Sequence, residues 1–318
     1  MKSAYCLILL GLVELAAGQG AQDGFEVLHV QGNVYMFAST LGNVTVQAGK
    51  DPGHDGVLLV DTGPAQLTER IRSEIGKVSR EPVRYILNTS ADADHTGGNE
   101  LLAKSGTKLG GGLVVGGSAG EGAMVIAHEH VLNRMSAPTG KTPPAPQTAW
   151  PTDAYPRDTK DVYANGEGIA LYHPAAAHSD GGSVVYFRRS DVIAAGDIYS
   201  TTSYPVIDIE HGGSFSGVLE ELNHIIDLAI PKDWQEGGTM IIPGHGRITD
   251  EADVVEYRDM VTIIRDRIQD MIKKGMTLEQ IKAARPTQDY DGRYGATSGS
   301  WTTAIFVEAA YRDLSRQR

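Results

Sequence analysis

Apolar and polar positions alternate over residues 25–46, in Phe25-Glu26-Val27, Val34-Tyr35-Met36-Phe37 and Val44-Thr45-Val46, with glycines between the runs. A period of two broken by glycine predicts a meander of short strands. Gly56-Val57-Leu58-Leu59-Val60 has no polar position, so it predicts a short buried strand, ending at Asp61-Thr62-Gly63. Pro64 then opens a helix with Leu67, Ile71, Ile75 and Val78 on one face. Residues 83–87 predict another strand, which runs into Asn88-Thr89-Ser90-Ala91-Asp92-Ala93-Asp94-His95-Thr96-Gly97-Gly98-Asn99. A glycine-rich stretch at 110–122 precedes a strand at 124–127. Proline is frequent between Pro138 and Pro156. It can neither continue a helix nor pair in a central strand, so a long ordered loop or a site rim is expected there. Strands resume at 169–173, 183–187 and 192–195.

The C-terminal third changes period. Val218, Leu219, Leu222, Ile225, Ile226 and Ala229 form one helical stripe closed by Pro231. Val254, Tyr257, Val261, Ile264 and Ile268 form a second that ends near Gly275. Thr277 and Gln280 have the spacing of a capping box for a third helix that stops before Pro286. Strands in two batches, each followed by helices, predict two sheets face to face with helices outside. No fixed-period repeat and no linker divides the chain, so one domain is expected.

Composition narrows the partners. The chain has 318 residues, 41% hydrophobic and 21% charged, which is enough to bury one substantial core. A net charge of −12 argues against a nucleic-acid partner, since phosphate backbones require clustered lysine and arginine, and none is expected. Lys2, the apolar run from Ala4 to Val13 and the small residues at 16–20 predict a signal peptide over residues 1–20, hence a periplasmic or secreted protein. That run is shorter than the roughly 20 residues a bilayer needs, so stable membrane insertion is not expected. Cys6, the only cysteine, lies inside it. The remaining 21–318 domain offers no thiolate for catalysis, metal binding or a disulfide.

Four segments place metal-binding side chains where strands give way to glycine-containing loops: Asp92, Asp94 and His95; His178; Asp197; His245. Side chains at strand ends can converge in one cleft, and mixed imidazole and carboxylate donors suit zinc, manganese or iron. His128 and His130 stand two apart at a strand-to-helix junction and are expected to face different ways. His173 sits at a strand end near the cleft with a structural role, and His29, His54, His211 and His224 are expected to be structural or exposed.

These segments, with Leu59-Val60-Asp61-Thr62-Gly63 before them, Thr96-Gly97-Gly98-Asn99 after the first, and Ile241-Ile242-Pro243-Gly244-His245-Gly246 near the end, resemble the metallo-β-lactamase superfamily. The resemblance runs in order over nearly all of the chain beyond the signal peptide. It implies an α/β fold (α+β by some schemes), an αβ/βα four-layer sandwich with a metal site at one edge. It also implies that Asp94, His95 and His245 hold one metal, that Asp197 bridges two, and that Asp61 orients the site from behind. The signature is His-x-His-x-Asp-His, and this chain has Ser90 and Asp92 in place of the first two histidines. Only His178 remains of the first-metal set, with Asp92 as its one carboxylate substitute. One tightly bound ion, zinc with iron or manganese as alternatives, is therefore expected, and Asp94 is the expected proton carrier. The implied activity is metal-dependent hydrolysis of an ester, thioester, lactone, amide or phosphoester of a small molecule. A β-lactamase, an iron-dependent redox enzyme and a metal-poor binding protein are the alternatives.

Overall fold

The computed structural model describes residues 24–51, 56–107, 122–138 and 143–316. The predicted signal peptide and most of the glycine-rich stretch lie outside the described residues. The meander forms as three strands, β1 (Glu26–Gln31), β2 (Val34–Ala38) and β3 (Val44–Gln47), followed by β4 (Val57–Val60). Then come α1 (Thr68–Val78), β5 (Val83–Leu87), the single turn α2 (Ala93–Thr96), α3 (Asn99–Lys104), β6 (Met124–His128), α4 (Glu129–Ser136) and β7 (Asp153–Tyr155). These seven strands make one sheet in sequence order, antiparallel from β1 to β4 and parallel from β4 to β7.

The second half supplies β8 (Thr159–Ala164), β9 (Glu167–Tyr172), β10 (Val184–Phe187), β11 (Val192–Ser200), α5 (Phe215–Leu228), β12 (Met240–His245), α6 (Glu251–Lys273), α7 (Leu278–Ala284), α8 (Asp291–Tyr294) and α9 (Thr303–Arg316). Its sheet has the order β12-β11-β10-β9-β8, with only β11 and β12 parallel.

The pleat decides which layer each residue joins. On β4, Leu58 and Val60 meet Val185, Phe187 and Ile242 of the other sheet, while Val57 and Leu59 turn outward to Ile71, Ile75 and Leu102 under α1 and α3. On β11, Val192 and Ala194 enter the space between the sheets, and Ile193 and Ala195 pack against α5, α6 and α9. The result is helices, sheet, sheet, helices: the four layers expected.

The predicted stripes of α5 and α6 are buried except for Ile226, which is half-buried against the same core, and Thr277 and Gln280 form both hydrogen bonds of a capping box. Three features depart from the expectation. The proline-rich segment contributes β7, an edge strand, where proline's missing donor does least harm. Residues 159–164 form β8, also at a sheet edge. α9 follows the glycine- and serine-rich segment 295–300. Among the described residues, no helix is long and apolar enough to cross a membrane.

Candidate metal centre

The donors gather at the ends of the paired sheets. Asp92 caps α2, whose single turn carries Asp94 and His95. The Thr62 amide and hydroxyl both donate to the His95 carbonyl, at 2.8 and 3.0 Å, and tie that turn to the end of β4. His178 lies on the loop between β9 and β10, and His245 ends β12. Asp197 corrects the expectation of a strand end. It lies inside β11, where the pairing with β12 slips on either side of Gly196. Gly196 has a φ of +52°, and a Cβ there would stand 2.6 Å from the Thr89 hydroxyl oxygen. The bulge that turns Asp197 into the site therefore needs a residue without a side chain.

Two sets of three donors result, with the atoms of each set within 4.8 Å of one another: Asp94, His95 and His245; and Asp92, His178 and Asp197. Asp197 stands between them. Its Oδ2 is 3.0 Å from His95 Nε2 and 3.7 Å from His178 Nε2, and its Oδ1 is 3.5 Å from His245 Nε2. Asp94 lies 3.3 Å from His245 and Asp92 lies 2.9 Å from His178. His95, His178 and Asp197 form a buried floor, while the side chains of Asp92, Asp94 and His245 are between 30 and 39% exposed. Asp92 is thus within the cluster, paired with His178, and not only at its rim. Ser90 is buried and accepts the Asp92 amide at 3.2 Å, a local turn in place of a ligand.

Positive charge is drawn strongly into this cluster. Burial alone would neutralise His178, but the hydrogen bond it donates to Asp92 and the charge of Asp197 overrule it and lift the ring to about 9. His245 reaches about 9 against the same burial, through its bonds to Asp197 and Asp94. Burial opposes charge on His95 too, yet Asp197 and Asp61 raise it well above the ordinary value. Burial likewise works against ionised Asp197, and the charge of His95 and the bond to His245 hold its carboxyl well below the usual range.

The donor geometry fits a divalent cation. Asp61 Oδ2 is 2.8 Å from His95 Nδ1 and accepts its proton. This leaves Nε2 as the lone-pair donor of the neutral ring. That Nε2 is buried, and its one polar neighbour is the Asp197 carboxylate, which it faces as an ion pair at 3.0 Å. His178 is prepared the same way: its Nδ1 donates to the Val206 carbonyl at 2.9 Å. Asp61 also accepts from the Thr89 amide at 2.8 Å and the Thr89 hydroxyl at 2.6 Å, from a backbone with φ of 63°. A non-glycine residue held there is a strained element fixed by its surroundings. Sequence reading identified Asp61 but missed Thr89 and the Val206 carbonyl, because neither a threonine hydroxyl nor a main-chain oxygen leaves a motif.

His128 and His130 correct another expectation. They do not face apart: their ring centroids lie 4.8 Å from each other, and His128 stacks on His173 at 3.5 Å. Residue 128 ends β6 and residue 130 is already in α4, so the turn cancels the alternation of the strand. Burial, then the charges of His173 and His130, push His128 down to about 4. The three rings form a packing group outside the two donor sets. His224 bonds Glu221, and His54 lies outside the described residues.

The sequence model of the metallo-beta-lactamase superfamily matches residues 40–245, a span that begins before Asp61 and ends on His245. No curated protein matches the chain. Among solved structures it is similar to the stereoselective inverting sec-alkylsulfatase Pisa1 from Pseudomonas sp., with 14% identity and a TM-score of 0.62 over 92% of this chain and 50% of that one. The chain thus spans half the length of that sulfatase. It is also similar to a metallo-beta-lactamase from Pontibacter korlensis, with 15% identity and a TM-score of 0.56 over 75% of this chain and 99% of that one. The DIM-1 metallo-beta-lactamase gives 17% and 0.54 over 75% and 97%. At such identities the likeness is one of fold.

Proposed function

The chain belongs to the metallo-beta-lactamase superfamily, and from that premise we propose that it is a hydrolase. In this reading a metal-activated water attacks an ester, thioester, lactone, amide or phosphoester of a small molecule. The observation that carries the proposal is Nε2 of His95, a buried ring nitrogen without a hydrogen bond, whose ring is held from behind by Asp61. With Asp197 Oδ2 3.0 Å away, a cation taking the lone pair of that nitrogen would also meet a carboxylate.

Asp94, His95, His245 and Asp197 would hold the tighter ion, with two imidazoles and two carboxylates. Asp92 and His178, sharing Asp197, would hold a second one more weakly, because only one imidazole serves it. Zinc fits the donors best, with iron and manganese next. When bound, it polarises the scissile carbonyl or phosphoryl oxygen and brings the pKa of water to about 7. Asp94, with a side chain 37% exposed beside His245, can accept a proton from the attacking water and return it to the leaving group. Asp61 and the Val206 carbonyl keep the rings of His95 and His178 in the tautomer that this requires.

Metal analysis of protein purified without added metal tests the first half. Hydrolysis of an ester, a lactone, nitrocefin and a phosphodiester tests the second. A secondary alkyl sulfate joins the panel because a sec-alkylsulfatase shares the fold. The expected result is about one tightly held ion per chain and a turnover that chelation removes. A protein that takes up no zinc, iron or manganese at micromolar concentration sinks the reading.

A further inference from the structure

Beside the donor cluster lies a cavity of about 310 Å³ with Asp92 and His178 in its lining. Its walls come from two parts of the chain. One is the segment 206–210, which also fixes His178: besides the ring's bond to Val206, the Asp208 amide donates to the His178 carbonyl at 2.9 Å. The other is α9 with the residue just ahead of it. Ile305, Glu308, Ala309 and Arg312 stand at i, i+3, i+4 and i+7, one side of the helix, and all four line the cavity together with Trp301.

On another side of α9, Phe306, Val307, Ala310 and Leu314 are buried in the helical core. Ile305 is 40% exposed because its side of the helix turns to the cavity. The charges around the cavity are largely matched. Asp92 faces His178, Asp208 faces His211, and Glu308 faces Lys282 at 2.8 Å, which leaves Glu210 and Arg312, one of each sign.

From this placement we infer that the cavity is the recognition pocket for an uncharged, apolar group of the substrate, seated against Trp301 and Ile305 with the scissile bond toward Asp92 and His178. The substrate class narrows to neutral esters, lactones or amides with a medium-length aliphatic or aryl arm. A charged arm of either sign would be attracted by one of Glu210 and Arg312 and repelled by the other, so charge brings it no net gain there. What happens to the ligand rests on the hydrolase reading; where its apolar arm sits does not.

The test uses the full chain, loaded with zinc, and two readouts. Tryptophan fluorescence follows titration with hexan-1-ol, hexanoate and hexylammonium, in the wild type and in Trp301→Phe. Hexanol should give a saturable change that Trp301→Phe removes, although Trp150 and Trp234 remain. Hexylammonium should bind at least tenfold more weakly, and so should hexanoate when the titration is repeated on chelated protein, where no ion can take its carboxylate. Ile305→Asp, at a position exposed enough to leave the fold intact by circular dichroism, should weaken hexanol at least tenfold.

In the second readout, kcat/KM for p-nitrophenyl acetate, butyrate and hexanoate should rise about two- to fourfold per methylene as each enters the pocket. The profile should be flat in Ile305→Asp. No saturable hexanol binding overturns the inference. So does tighter binding of hexanoate that Arg312→Ala abolishes, since the pocket would then read an anion. Hexanol binding without turnover of any ester keeps the pocket and removes the hydrolase reading. Ester turnover with a flat wild-type profile keeps the hydrolase and removes the pocket.

Discussion

Asp61→Asn isolates what holds the central histidine. Oδ1 of Asp61 accepts the Thr89 amide, and Oδ2 accepts both the Thr89 hydroxyl and His95 Nδ1. The left-handed φ of 63° is one that asparagine tolerates nearly as well as any non-glycine residue, so the change keeps shape and backbone and removes the charge. An amide has one accepting end. If that end takes the Thr89 amide, its NH2 group points at the proton on His95 Nδ1. The ring relieves this by moving its proton to Nε2, the atom the metal needs.

Losing the partner of a metal-binding histidine typically costs about 10- to 100-fold in affinity, or about 1.4–2.7 kcal/mol. Replacing a buried carboxylate that accepts three hydrogen bonds should also cost about 1.5–3 kcal/mol of folding stability. Zinc competition against a chromophoric chelator reads the first quantity, and a thermal melt of the chelated protein reads the second. A folded Asp61→Asn protein whose zinc affinity lies within twofold of the wild type would refute the orienting role.

The same geometry sets further expectations. His245→Ala should abolish tight metal binding and all hydrolysis, whereas Asp92→Ala should leave most of the tight metal in place; loss of the ion in Asp92→Ala, by metal analysis, would make Asp92 a principal ligand. In chelated protein, the protonated rings of His178 and His245 contribute stability that is fully present below pH 6.5 and is lost as pH rises through about 9. The melting temperature should therefore fall between pH 7 and 9.5, and zinc should flatten or reverse that slope; a rise without metal contradicts it. Gly196→Ala, at φ of +52° and 2.6 Å from the Thr89 hydroxyl, should cost at least about 1–2 kcal/mol in a denaturant titration. Protein recovered from the periplasm or medium should begin at Gln19 or Ala21 by N-terminal sequencing, and an intact Met1 on cytoplasmic protein contradicts export.

Local pattern carried much of the fold. The uninterrupted apolar run at 57–60, the alternation at 34–37 and the stripes of α5 and α6 identify their elements because a strand's period of two and a helix's of 3.6 leave different residues on the buried face. The donors were equally legible, since Asp92, Asp94, His95, His178, Asp197 and His245 are rare chemistry at recognisable spacings. β8 was not, because an edge strand buries little; only Val162 and Ala164 of its six residues are buried. α9 was missed although Phe306, Val307, Ala310 and Leu314 carry a helical pattern. Alanine weakens the contrast, and its second side, which lines the cavity, blurs the stripe.

Only the tertiary structure could decide how the donors divide. Asp197 lies between two sets because a bulge at Gly196 turns it there, and that bulge exists because β11 pairs in parallel with β12, a strand more than forty residues later. The lone-pair face of His95 depends on Asp61, which is 34 residues away in sequence and 2.8 Å away in space. The place of Asp92 inside the cluster depends on His178, 86 residues on. Residue type and spacing determine which atoms are able to bind a cation. Which of them reach the same point, and which nitrogen carries the proton when they do, is settled by contacts between segments whose separation along the chain leaves no local pattern.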